Sequence, residues 1–152
     1  LGGIMAYDVL RARPDIRVDA WVSFAMPAVD LRQLGWDTPL EDLPNVGCWI
    51  NVFDDKDILA SPMAFEDPAA GKWDSRRMKP NGRLTEGDSP ARSARPLRPR
   101  EAAAEFFAAP GKRVNVTVDM EAEIYRAHIL YWKDRNIGRL VAAMVAESAS
   151  QP

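Results

Sequence analysis

An α/β fold with a largely parallel sheet is predicted by three observations. Residues 20–26 and 46–53 are short, nearly continuous apolar runs. They are too brief for comfortable helices and suit strands covered on both faces. Residues 114–118 alternate and are rich in branched side chains, which reads as a third strand. Segments with helical spacing precede the first run and follow the last, so strands and helices succeed one another along the chain.

In order, residues 1–13 predict a helix with Ile4, Met5, Val9 and Leu10 near helical spacing, stopped by Pro14. Residues 15–19 form a turn, and the first strand ends at Pro27. The second runs into the acidic residues Asp54, Asp55 and Asp57, and the third stops at Asp119. Residues 136–147 place Ile137, Leu140, Val141, Met144 and Val145 on a helical face. Trp21 and Trp49 sit in strands and are expected in the core, as is Trp132. Cys48, mid-strand, reads as a small core residue. Three strands are few for such a sheet, and the chain opens inside a helix without an initiator methionine. The expectation is the C-terminal part of a longer protein, whose exposed sheet edge invites self-association.

The 152 residues are 47% hydrophobic and 28% charged, which fits one globular domain over 1–152. One Cys excludes an intrachain disulfide, and with one His it excludes a Cys/His zinc cluster. No metal or cofactor is expected. No apolar run approaches the ~20 residues of a membrane span. The net charge of −2 gives no global case for nucleic acid or an anionic membrane. A single Cys fits the cytosol and also fits secretion.

Residues 62–110 differ from the rest, holding seven of the twelve prolines. Residues 72–113 carry 11 basic and 5 acidic groups, a balance of +6 against −8 elsewhere. An anion-binding arm is one reading. No aromatics interleave with the basic residues and no nucleic-acid motif is present, so a flexible insertion between strands is expected instead, and no nucleic-acid partner. Residues 101–109 suggest a short helix within it.

His128 is the one imidazole, in the segment Ala127-His128-Ile129-Leu130-Tyr131-Trp132. Alone it reads as a packed residue, with Tyr131 and Trp132 as core filling or as packing beneath a loop. Groups just after the C-termini of parallel strands converge on the ligand crevice, however. Asp57 follows the second strand and His128 follows the third. An acid and then a histidine in that order are two thirds of a hydrolytic triad. Asp54, Asp55 and Asp57 also suit a plain turn. The nucleophile is missing: Cys48 and Ser23 are mid-strand, and Ser61, Ser75, Ser89, Ser93, Ser148 and Ser150 lack a strand–turn–helix setting.

Leu1-Gly2-Gly3-Ile4 resembles the stretch immediately after the serine of the α/β-hydrolase elbow, G-x-S-x-G, commonly Gly-His-Ser-Leu-Gly-Gly. The segment from Asn51 to Leu59 resembles that family's acid-bearing stretch. The region from Val118-Asp119 to Trp132 resembles the last strand and catalytic-histidine region of lipase/esterase-like hydrolases. The resemblance covers most of the chain outside 62–110 and implies a partial α/β-hydrolase fold with three C-terminal strands. It implies His128 as general base and Asp57 as its acid, with Asp54 as the alternative. Gly2 stands at the second motif glycine, allowing close helix–strand approach, and the backbone N–H of Leu1 would bind the oxyanion. The nucleophile serine, its strand and the second oxyanion donor are not in the chain. The implied activity is cleavage of a small-molecule or lipid carboxylic ester. Two alternatives stand beside it: a non-catalytic interaction protein that keeps a hydrolase-like core, and an inactive fragment.

Overall fold

The computed structural model describes residues 2–27, 40–57, 59–64, 72–87, 95–120 and 129–151. Helix α1 (Gly2–Ala12) is followed by strands β1 (Val18–Phe24), β2 (Val46–Asp54), β3 (Asp74–Met78) and β4 (Leu84–Glu86). Helix α2 (Pro99–Phe107), strand β5 (Lys112–Val118), a 3-10 turn (Tyr131–Lys133) and helix α3 (Arg135–Ser148) complete the order. The strands form one mixed sheet in the order β1-β2-β5-β3-β4, parallel except for β4, which returns antiparallel to β3. The α/β class therefore holds.

Alternation along the strands assigns each residue to one of two apolar layers. Cys48, Ile50 and Val52 of β2 and Val114, Val116 and Val118 of β5 face α2 and α3, where Phe106, Leu140 and Met144 are buried. Trp49 faces the other way, toward Ile4, Tyr7 and Leu10 of α1. β2 is covered on both sides, which is why its sequence is almost continuously apolar, whereas β5 alternates, with Val114, Val116 and Val118 on the α2 and α3 side.

Each helix has a local reason for its limits. Asn45 donates to the carbonyls of Leu10 and Ile16 at 3.0 and 2.9 Å, satisfying groups that the end of α1 leaves open. Helix α2 opens with Pro99, and the Arg98 N–H donates to Glu101 at 2.8 Å. Asp134 caps α3 by accepting from the N–H groups of Asn136 and Ile137 at 2.8 and 2.9 Å.

The expectation of three strands is corrected to five. β3 and β4 arise within 62–110, the segment read as an insertion, and Asp74-Ser75-Arg76-Arg77-Met78 shows no apolar alternation. Pairing with β5 makes it a strand, and ion pairs hold its cations: Arg76 with Glu86 and Glu105, and Arg77 with Asp55. Lys112 pairs with Asp74, Arg113 with Asp42 and Arg95 with Glu101. Five basic residues of 72–113 thus hold carboxylate partners, and two of those partners, Asp42 and Asp55, lie outside that segment. Trp132 is also corrected: it is 81% exposed rather than core.

Among the described residues β1 pairs on one side only, with β2. Residues of β1 line two clefts. One of about 490 Å³ is lined by Ala20 and Val22 with Val141, Met144 and Val145 of α3. The other is lined by Gly2, Gly3 and Ala6 of α1 together with Val22, Phe24 and Tyr131 of the opposite layer. Among the described residues no helix is long and apolar enough to cross a membrane.

Candidate active site at the rim of the sheet

Parallel strands β1, β2 and β5 end at one rim, and the acidic cluster lies there. Asp54 closes β2 and is 1% exposed. Its Oδ1 accepts from the Lys56 N–H and its Oδ2 from the Met120 N–H, both at 2.8 Å. The residue therefore staples the end of β2 to the chain leaving β5, a structural task that occupies both oxygens. A turn follows, with the Asp57 N–H donating to the Asp54 carbonyl at 3.0 Å.

Asp57 is 3% exposed and is held differently. Its Oδ1 accepts from the Leu59 N–H at 2.9 Å, the side-chain turn that aspartate favours. Its Oδ2 accepts from the Tyr131 hydroxyl at 3.0 Å. That hydroxyl itself accepts from the Asp54 N–H at 2.8 Å. Burial raises the Tyr131 hydroxyl well above its ordinary pKa, and the nearby negative charge of Asp57 pushes the same way, against the opposing bond from Asp54. The proton stays on tyrosine and points at Asp57. The loop is a turn, and the carboxylates of Asp54 and Asp57 are both held from outside it as well, by the Met120 N–H and the Tyr131 hydroxyl.

The chain after Asp57 is fixed by a polar row beneath the α1 layer. Ser23, Asn51, Asn115 and Ser75 stand in register across four parallel strands. Trp49 Nε1 donates to Ser23 Oγ at 3.0 Å, Ser23 to Asn51 at 3.2 Å, and Asn51 to Asn115 at 3.2 Å. Asn51 also donates to the Ser61 carbonyl at 3.0 Å. Asn115 both accepts from and donates to the Met63 backbone, each at 2.8 Å. Polar groups in buried strands need partners, and these find them by pinning residues 61–63.

A cleft of about 370 Å³ opens beside this rim, lined by Gly2, Gly3, Trp21, Phe24, Tyr131 and Trp132 among others. Tyr131 is shared between the cleft and Asp57. The buried Ala25, at φ +48°, turns the chain at the cleft's wall, a strained setting for a residue with a Cβ. A Cβ on Gly3 would lie 3.3 Å from Met26 Sδ, whereas one on Gly2 would meet nothing among the described residues within 4 Å.

His128 and Leu1 lie outside the described residues, as do Ser89 and Ser93. Cys48 is buried and burial pushes its thiol up to about 12, so it is a neutral core group. Ser23 is committed to the polar row, and Ser148 bonds Asp19 at 2.9 Å on the surface. Among the described residues no three His, Cys, Asp or Glu side chains gather as metal ligands. Tyr131 is the site residue that sequence reasoning missed. Its neighbourhood in sequence signals only aromatic packing, and its bond to Asp57 spans 74 positions. Comparison of the chain with protein families, with curated proteins and with solved structures finds no match.

Proposed function

We propose that the chain is the C-terminal part of an α/β-hydrolase that cleaves carboxylic esters, of small molecules or lipids, through a Ser-His-Asp triad. In this reading a serine just upstream of Leu1 attacks the ester carbonyl and His128 takes its proton. The imidazolium then gives that proton to the leaving alcohol, and water attacks the acyl-serine by the same route. Asp57 orients the imidazole and stabilises its charged form. The Leu1 N–H meets the oxyanion.

One observation carries the proposal. Asp57 is a buried carboxylate at the C-terminal rim of a parallel sheet, and Tyr131, which bonds it, is only three residues from His128. The unpaired side of β1, with a cleft where α1 begins, supports it further, because a strand entering α1 would leave the sheet at this rim. Asp57 is preferred to Asp54 because its partner Tyr131 is three residues from His128 in sequence, whereas Asp54 accepts from the Lys56 and Met120 N–H groups.

The test is hydrolysis of p-nitrophenyl esters by a longer protein that includes the upstream serine. His128→Ala should lower kcat by about 10⁴-fold or more. Activity near that of the parent would overturn the assignment.

A further inference from the structure

Tyr131 has no role in a Ser-His-Asp mechanism, yet it is 2% exposed and spends its hydroxyl on the two acidic positions of the rim. We infer that Tyr131 is the positioning residue of the acid: its hydroxyl, set by the Asp54 N–H, clamps Asp57 in the orientation that His128 needs. This rests on the hydrolase reading and adds a member to its machinery.

A carboxylate anchored at one oxygen can swing about its Cβ–Cγ bond. Asp57 has donors on both oxygens, a backbone N–H on Oδ1 at 2.9 Å and the phenol on Oδ2 at 3.0 Å, which together fix its plane. The phenol cannot rotate freely either, because it accepts the Asp54 N–H at 2.8 Å and its proton is left for Asp57. Its ring is braced by Phe24, 6.2 Å away between centroids. The surrounding charges have their own partners. Asp54 serves the backbone of Lys56 and Met120, Lys56 pairs with Asp119 at 2.9 Å, and Asp55 with Arg77 at 3.4 Å. Burial keeps the phenol protonated far above neutral pH, so it remains a donor throughout the titration of a histidine.

The experiment exploits the single histidine, whose imidazole signals are followed by NMR through a pH titration of the 152-residue chain. Asp57→Asn should lower the His128 midpoint by about one pH unit in the parent. The same change made in a Tyr131→Phe background should lower it by less than half as much, since the coupling depends on the clamp. Equal drops in the two backgrounds overturn the inference and leave the hydrolase reading standing. No drop in the parent overturns that reading and the inference with it. If Tyr131→Phe does not fold, the unaltered chain decides. The ¹³Cζ signal of Tyr131 should move with the same midpoint as His128, and a signal that stays flat through that titration overturns the inference.

Discussion

The Tyr131 hydroxyl lies 3.0 Å from Asp57 Oδ2 and joins the end of β2 to the turn that leads into α3. It links the two regions on which the proposed chemistry depends. Tyr131→Phe removes it and leaves the buried Asp54 N–H without its acceptor. Stability should fall by about 1–3 kcal/mol. Urea denaturation of the two proteins checks this; a change within about 0.5 kcal/mol would show that the hydroxyl contributes little.

The polar row makes a second prediction. Asn115→Ala deprives the Met63 N–H and carbonyl of partners and breaks the link to Asn51. A loss of about 2–4 kcal/mol is expected, with the segment after Asp57 opening first. Amide exchange should therefore quicken at residues 61–63 before it does in β2. Uniform exchange across both would contradict the pinning role.

Cys48 should be inert. With its thiol pushed up to about 12 by burial, the reactive thiolate is scarce at neutral pH and the sulfur is 1% exposed. Dithionitrobenzoate should react slowly in buffer and fast in denaturant. Rapid reaction of the folded chain would mean that the β2 core opens readily.

Among the described residues β1 has a strand partner on one side only, which should make the isolated chain self-associate. Val145 of α3, 65% exposed, lines the cleft beside β1. Sedimentation velocity over a range of concentrations should show a reversible dimer. A monomer at every concentration would count against an adhesive edge.

Much of the scaffold was legible because burial writes itself into composition. β2 is covered on both faces, so its apolar run announced a strand; the alternation of Val114, Val116 and Val118 announced β5, and the period of Ile137, Leu140 and Met144 announced α3. β3 was illegible for the opposite reason: pairing with β5 makes it a strand, and Arg76 and Arg77 are tolerated there with Glu86 of the adjoining hairpin strand and the more distant Glu105 and Asp55 as partners. Trp132 misled because an aromatic is ordinarily buried, and here it stands against Phe24 at 5.1 Å on an open cleft. Asp57 was legible as a residue after a strand. Its clamp was not, since no local pattern marks a tyrosine that bonds across 74 positions. Asn51 and Asn115 offered a signal in principle: amides inside apolar strands imply buried partners, and each found the other.

The central claim is that Asp57 and His128 form one ionisation-coupled pair. A carboxylate beside an imidazole favours the charged ring and raises its midpoint above the ordinary ~6.5. The most direct measurement is the NMR titration of His128 in the parent, in Asp57→Asn and in Asp55→Asn, the last changing an exposed neighbour. The account predicts a midpoint lowered by about one unit in Asp57→Asn and little moved in Asp55→Asn. A midpoint the same in all three proteins would contradict it.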